Sequence, residues 1–147
     1  MNLEVLKRTG NRKACTCAII IKDSKVLIGL RHYTPDKWKN ISVWTTPGGR
    51  CDDGEILEIN LRREVMEETG ISDLKILSFL GEFPGATEGD HLLLFRCETN
   101  QEVKLTVPEK FSEWRWVGVN EIPANFINPD TVPIIIGELN RSPLMFS

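Results

Sequence analysis

The chain has 147 residues, of which 41% are hydrophobic and 27% charged, with a formal net charge of −3. This balance predicts one globular domain, residues 1–147, with a sizeable core. The net charge argues against a long nucleic acid as partner, and no apolar run approaches the length that spans a membrane. The cysteines form no CxxC pair and follow no secretory signal, which predicts reduced thiols and a cytoplasmic location.

The first third of the chain alternates apolar stretches with turn signals. A strand at 14–22 ends at Asp23-Ser24, and residues 25–31 resume with strand composition, so the two form a predicted hairpin. A polar loop at 32–40 and a short strand at 41–46 follow. That strand runs into Pro47-Gly48-Gly49, where glycines let the backbone approach a ligand closely.

The last half of the chain again interleaves strands with a helix. The predicted strands are 73–83, 91–97 and 113–117, with weaker strand character at 100–107. A helix is predicted from Asn128 to about Leu139, with Pro133 tolerated in its first turn. Together with a helix that ends at Gly70, this order predicts an α/β (α+β) fold in which helices sandwich a mixed sheet.

The helix before Gly70 carries Glu64, Glu67 and Glu68. Residues three and four apart share a helix face, and three carboxylates on one face repel each other unless a cation lies among them. Oxygen-only ligands suit a hard divalent cation such as Mg²⁺ or Mn²⁺. The competing interpretation is a solvated acidic face.

The apolar residues of this helix favour carboxylates that line a cleft over carboxylates on a solvated face. Leu57, Leu61 and Val65 form one apolar stripe, and Ile59 and Met66 form another on the far side. A helix that is apolar on two sides is expected to be covered on two sides, which would leave the carboxylates at a cleft edge.

Glu55 and Arg63 lie eight residues apart, too far for helical neighbours. We interpret Glu55 as a loop residue that folds back to hold the Arg63 guanidinium. Gly49, five residues, Glu55, seven residues and then Arg63-Glu64-Val65-Met66-Glu67-Glu68-Thr69-Gly70-Ile71 resembles the Nudix box at every specified position. The resemblance covers 23 residues and implies an α/β/α sandwich with a mixed central sheet.

The resemblance implies chemistry as well as a fold. Nudix enzymes hydrolyse a nucleoside diphosphate linked to another group, with Mg²⁺ as the usual cation. Carried over to this sequence, the metal ligands are Glu64, Glu67, Glu68 and the backbone carbonyl of Gly49, with Mn²⁺ as an alternative ion. Arg63 then orients Glu64, and Glu55 is the partner of Arg63.

The general base is left open by the sequence. Glu64 is one candidate. Glu109, in the loop before the last strand, is a second, because a glutamate there joins the site in several small Nudix enzymes. The competing interpretation of Glu109 is an ordinary surface residue, and Glu88 and Asp90 are weaker candidates.

Substrate choice depends on residues outside the box. The tail from Pro108 to Asp130 resembles the small branch that hydrolyses oxidised purine triphosphates such as 8-oxo-dGTP. By that resemblance Asp130 and Asn128 bind the base edge through paired hydrogen bonds; alternatively Asp130 only caps the last helix. Trp44 is the candidate for base stacking, with Phe83 and Phe126 as alternatives.

The prediction is therefore a Nudix hydrolase whose partner is a small nucleotide, with a nucleoside triphosphate as the best candidate substrate. ADP-ribose or a nucleotide sugar is the alternative substrate. A nucleotide-sensing Nudix domain without activity is the alternative class, but such domains usually lose carboxylates that this chain keeps. The protein is expected to be a monomer or a homodimer, with Trp38 and residues 143–147 as candidate interface residues.

Overall fold

The computed structural model describes residues 3–32, 42–85 and 87–141. Most of the predicted loop at 32–40, Trp38 and the tail 143–147 lie outside these ranges. The strands are Ala14–Lys22 (β1), Lys25–Arg31 (β2), Val43–Thr45 (β3), Gly48–Arg50 (β4), Lys75–Pro84 (β5), His91–Glu98 (β6) and Phe111–Val117 (β7). The α-helices are Leu57–Thr69 (α1) and Val132–Arg141 (α2), and three short 3-10 turns cover Glu4–Lys7, Val119–Glu121 and Pro129–Thr131.

The seven strands form one mixed sheet. β1 runs parallel to β6, and β5 is antiparallel to β6. On the other side of the hairpin, β2 is antiparallel to β7 along most of its length. One sheet with both kinds of pairing confirms the prediction of a mixed sheet.

The hairpin strands β1 and β2 pair only beside their turn, where Ile21 faces Val26. Asp23 and Ser24 make that turn with φ of 53° and 62°, the left-handed values that two-residue hairpins require. Farther from the turn the strands separate, because β4 pairs with the start of β1 and β3 pairs with the end of β2. The sheet therefore consists of two half-sheets, β4-β1-β6-β5 and β3-β2-β7, with a gap between them.

Alternating side chains of β1 divide the core between the two faces of the sheet. Ala18 and Ile20 belong to the cluster that contains Leu61 of α1. Ile19 and Ile21 belong to the cluster on the other face, which contains residues of α2. Since successive strand residues point to opposite faces, one helix covers each face. This arrangement confirms the predicted helix–sheet–helix sandwich.

Helix α1 ends as predicted and is covered on only one side. Gly70, with φ of 77°, terminates it and donates its N–H to the Met66 carbonyl. Ile59 is 56% exposed and Met66 is 53% exposed. The predicted second cover is therefore wrong, because no described element packs on that side of α1. Hydrophobic spacing indicates which sides of a helix are apolar, but it does not show whether a second layer exists.

Two further expectations differ from the structure. Residues 100–107 form no strand and instead run along the end of α1, where the Lys104 N–H donates to the Thr69 carbonyl at 2.9 Å. The last helix begins with the turn Pro129–Thr131, and in the described ranges no hydrogen bond from a backbone N–H reaches the exposed Asp130 carboxylate. The predicted cap is thus not formed. No described helix has the length and apolar character needed to cross a bilayer.

We expect Leu61→Ala and Ile59→Ala to differ sharply in stability, although the residues are two positions apart. Leu61 is fully buried, and truncating such a side chain costs about 2–5 kcal/mol of unfolding free energy. Ile59→Ala should cost less than about 1 kcal/mol, as at other surface sites. Urea denaturation of both variants measures the difference. Equal losses would show that Ile59 is covered in solution, for example by a second copy of the chain.

Candidate active site

A cleft of about 360 Å³ opens in the gap between the two half-sheets. The ends of β1 and β2, the backbone of β4 and the buried face of α1 line it. Its charged lining residues are Arg12, Arg31, Arg50, Arg63 and Lys110, together with Asp52, Glu64, Glu68 and Asp90. The cleft therefore combines buried carboxylates with a larger number of cationic side chains.

Glu64 lies against the backbone of β4. Arg63 Nη1 donates to Glu64 Oε2 at 2.8 Å, and burial raises the pKa of the Glu64 carboxyl. A Cβ atom on Gly49 would lie 2.2 Å from Glu64 Oε1. Only glycine at position 49 therefore allows the strand to approach this carboxylate so closely.

Glu68 is the more deeply buried carboxylate, with 2% of the residue exposed. The Gly48 N–H donates to Oε1 at 3.1 Å, and Lys110 Nζ lies 3.1 Å from Oε2. Burial raises the pKa of Glu68 to about 7, although the Lys110 ammonium acts in the opposite direction. Because removal from water penalises the charged form, this carboxylate depends on a nearby cation to stay ionised.

Arg63 is held by Glu55, as predicted from the sequence, and the contact is bidentate. Its Nε donates to Glu55 Oε2 at 2.8 Å and its Nη2 donates to Glu55 Oε1 at 2.9 Å. The Asp52 N–H also donates to Oε1, and these bonds, led by those from Arg63, lower the pKa of Glu55 to about 2. The remaining guanidinium nitrogen faces Glu64, so Glu55, Arg63 and Glu64 form one chain of charge-assisted hydrogen bonds.

The three predicted metal ligands of α1 do not converge in this structure. Glu64 and Glu68 line the cleft, whereas the Glu67 side chain is 55% exposed and contacts Arg63 at 3.3 Å on the outer side. At about 100° per residue around the helix axis, Glu68, four positions after Glu64, points more nearly in the direction of Glu64 than Glu67 does, three positions after it. Within the described ranges, no three His, Cys, Asp or Glu side chains form a ready-made metal site.

Of the described residues predicted outside the box, Asn128 and Asp90 line the cleft. Glu109 and Asp130 are exposed and lie outside the lining. Trp44 is 7% exposed and sits behind the lining, with the Arg115 guanidinium 4.9 Å from its ring centroid. No stacking surface is therefore presented by Trp44 in this arrangement.

Asp90 serves as an anchor rather than as a free carboxylate. Arg50 Nη1 and Nη2 donate to its two carboxylate oxygens at 2.9 and 2.7 Å, and this contact lowers the pKa of Asp90. Arg50 also donates to the Arg12 carbonyl at 2.6 Å. A carboxylate held in this way is poorly suited to accept a proton, so the contact weakens the candidacy of Asp90 as general base.

Sequence reasoning missed Asn60, which is fully buried one turn before Glu64. The Thr16 hydroxyl donates to Asn60 Oδ1, and Asn60 Nδ2 donates to the Arg50 carbonyl at 3.1 Å and to Glu55 Oε1 at 3.4 Å. These bonds tie α1 to β1, β4 and the Glu55 loop. The available signal was a polar residue beside Leu61 on the apolar side of the helix, because buried polar groups require partners.

The comparison with protein families agrees with the box and with the fold. The chain matches the NUDIX domain over residues 11–135 and therefore belongs to the Nudix family. It is a Nudix hydrolase, an enzyme that acts on pyrophosphate bonds.

Its relatives differ in substrate. The chain is 37% identical over 121 residues to the RNA pyrophosphohydrolase of Caulobacter vibrioides, covering 69% of this chain and 68% of that protein. It is 31% identical over 118 residues to the oxidized purine nucleoside triphosphate hydrolase of Danio rerio, covering 76% and 69%. A solved NUDIX hydrolase structure from Nitrosomonas europaea superposes with a TM-score of 0.73 at 20% identity, covering 94% of this chain and 76% of that one. This last likeness concerns the fold alone.

We expect Glu55→Gln to be less stable than the unchanged protein at pH 7, by a margin that shrinks in acid. The folded pKa of Glu55, about 2, lies below the value of about 4.3 for an unfolded chain. Its stabilising contribution is therefore complete above about pH 5 and is lost as pH falls towards 2. Urea unfolding midpoints between pH 3 and 7 measure this margin.

The control for Glu55 is Glu4→Gln, which removes a carboxylate that is 81% exposed. Exposed ion pairs contribute little, so its margin should stay small at every pH. A Glu55→Gln margin independent of pH would contradict the role given to the Arg63 contact.

We expect Gly49→Ala to fold but to lose activity. The added Cβ must push the Glu64 carboxylate away, and misplacement by about 1 Å can cost about a hundredfold in rate. Gly137→Ala in α2 is the control, because nothing lies within 4 Å of the added Cβ. kcat/KM for pyrophosphate-bond hydrolysis and circular dichroism test both variants, and full activity in Gly49→Ala would contradict the required close approach.

Proposed function

We propose that this Nudix hydrolase uses a divalent cation to cleave a nucleoside triphosphate, standard or oxidised, into a nucleoside monophosphate and pyrophosphate. The observation that carries the proposal is the pair of buried carboxylates, Glu64 and Glu68, in a cleft rimmed by cationic side chains. A small polyanionic nucleotide with its own cation complements both features.

The oxygen donors in the cleft fit Mg²⁺ or Mn²⁺. Glu64 and Glu68 are four residues apart on α1, and Gly49, which has a backbone carbonyl, lines the same cleft. Two carboxylates removed from water are costly without a cation, and hard divalent ions prefer oxygen ligands. Glu64, Glu68 and Gly49 are therefore the ligands that we propose, with Glu67 joining them only if its exposed side chain turns inward.

The protein contributes orientation and charge to the reaction. A bound divalent cation neutralises phosphate oxygens and eases the attack of water on phosphorus. Arg63, fixed by Glu55, holds Glu64 in one orientation. We assign proton acceptance from the attacking water to Glu64, because Glu109 lies outside the cleft lining.

The cationic lining supports binding of the phosphate chain. Arg31 lines the cleft, and its buried Nε has no hydrogen-bond partner among the described residues. A buried donor without a partner favours binding of an acceptor such as a phosphate oxygen. Asn128, at the same cleft, has the amide donor and acceptor needed to bind the edge of a purine.

RNA is the second candidate substrate. The support comes from the curated relatives, since the Caulobacter protein at 37% identity is an RNA pyrophosphohydrolase. The net charge of −3 favours the smaller substrate. ADP-ribose and nucleotide sugars complete the set that an assay must separate.

We also propose a reducing, cytoplasmic location. All four cysteines lie in the described ranges as free thiols. Burial raises the pKa of Cys17 to about 12 and also raises that of Cys15, so both remain protonated at neutral pH. Protonated thiols are poor metal ligands, which leaves the carboxylates as donors.

We expect a screen with Mg²⁺ to show preference for one nucleoside triphosphate. The panel contains standard and oxidised triphosphates, RNA with a 5′-triphosphate, ADP-ribose, nucleotide sugars and dinucleoside polyphosphates. Glu64→Gln should lower kcat/KM by about a hundredfold or more, in line with the loss of a general base. Glu58→Gln is the matched control, because its side chain is on the same helix but 45% exposed.

Each result of this screen has a definite meaning. Preferred cleavage of RNA or of ADP-ribose would replace the proposed substrate and keep the role of the box. Undiminished turnover in a folded Glu64→Gln protein would overturn the role of Glu64. Nucleotide binding without cleavage of any substrate would favour the sensing alternative.

A further inference from the structure

The backbone of Lys110 is fixed close to Glu68, whereas its side chain is free to move. Its N–H donates to the Val107 carbonyl and its own carbonyl accepts from the His32 N–H, both at 2.9 Å. These bonds fix the backbone of Lys110 beside the end of β2. The side chain crosses the gap between the half-sheets, and Nζ reaches Glu68 Oε2 at 3.1 Å.

The ammonium group supplies the positive charge that the buried carboxylate requires. The Glu68 side chain is 3% exposed, and its other oxygen already accepts from the Gly48 N–H. A divalent cation coordinated by Oε2 would bring a second positive charge to the same oxygen. Two cations held by one carboxylate oxygen repel each other strongly in a cleft of reduced dielectric. The contact with Lys110 and coordination of a metal ion by this oxygen therefore compete with each other.

The two cationic side chains that contact Glu64 and Glu68 differ in their freedom to move. Arg63 is bound by two nitrogens to Glu55, and its side chain is 31% exposed. Lys110 makes one ion pair, is 40% exposed and has a flexible four-carbon stem. Its Nζ also lies 6.0 Å from the ring centroid of Phe111, a second contact close to the same position. Lys110 is thus the cation that can withdraw.

We propose that Lys110 is a built-in competitor of the divalent cation: its ammonium neutralises Glu68 in the metal-free enzyme and must withdraw when the cation binds. The inference rests on the proposed function, because it takes Glu68 as a metal ligand. The withdrawn ammonium stays at the cleft lining, where substrate phosphates stabilise it. Metal and substrate consequently strengthen each other's binding, since the substrate accepts the charge that the metal displaces.

Mn²⁺ binding to the metal-free protein tests the competition without any assay of turnover. Free Mn²⁺ is counted by electron paramagnetic resonance during titration at constant pH. Lys110→Met should bind Mn²⁺ about tenfold more tightly than the unchanged protein, the factor expected for removing one charge-assisted hydrogen bond. Lys104→Met is the matched control, because Lys104 is exposed and outside the cleft lining; its affinity should change less than about twofold.

Repeating the substitution in a Glu68→Gln background isolates the contact. Glu68→Gln alone should weaken Mn²⁺ binding, and Lys110→Met should then add less than about a twofold change, since no carboxylate remains to be contested. Lys110→Gln is the second variant should Lys110→Met fail to fold, as judged by circular dichroism. Mn²⁺ affinity unaffected by Glu68→Gln would overturn Glu68 as a ligand and with it that part of the proposed function. Affinity lowered by Glu68→Gln but not raised by loss of Lys110 would overturn the competition alone.

Discussion

The site depends on compensation for the free-energy cost of burying two carboxylates, Glu64 and Glu68, away from water. A buried carboxylate is stable only where cations and N–H donors compensate for lost hydration. Arg63, Lys110 and the Gly48 N–H provide that compensation from three different segments. Gly48 and Lys110 lie outside α1, so Glu68 binds the glycine strand and the segment before β7 to this helix. Arg63 lies on α1 beside Glu64 and attaches the box loop through Glu55.

The fold meets this requirement through close approach of backbone to side chain. The glycine strand β4 lies against α1 because Gly49 has no Cβ that would meet Glu64, and against β1 because Gly48 has none; a Cβ on Gly48 would lie 2.0 Å from the Thr16 carbonyl oxygen. Asn60 completes the contact with hydrogen bonds in both directions. Apolar packing of Leu61 and its neighbours then fixes how deeply the helix sits on the sheet. Precise placement of charge thus follows from apolar packing and from the absence of a Cβ atom in the two glycines.

Local pattern was sufficient to predict much of this molecule. Strand alternation, turn residues and the spacing of the box predicted the hairpin, helix α1 and the Glu55–Arg63 contact, because each depends on residues near in sequence or on a fixed spacing. The exposure of Met66 was not predictable, since it depends on whether another layer covers that side of α1. The position of Lys110, rather than Glu109, beside Glu68 depends on how a loop 42 residues away meets the helix. A shift of one residue in that loop would place a carboxylate where the ammonium lies.

The gap between the half-sheets divides the cleft into two parts that carry different residues. Glu64 and Glu68 belong with the β1 half, to which α1 and β4 are attached. Asn128 belongs with the β3 half, because the Ile127 N–H donates to the Trp44 carbonyl and the Trp44 N–H donates to the Asn125 carbonyl. Substitutions around Asn128 can reshape what the cleft accepts without removing the charges of Glu64 and Glu68. One reaction can therefore persist through a lineage while its substrates change.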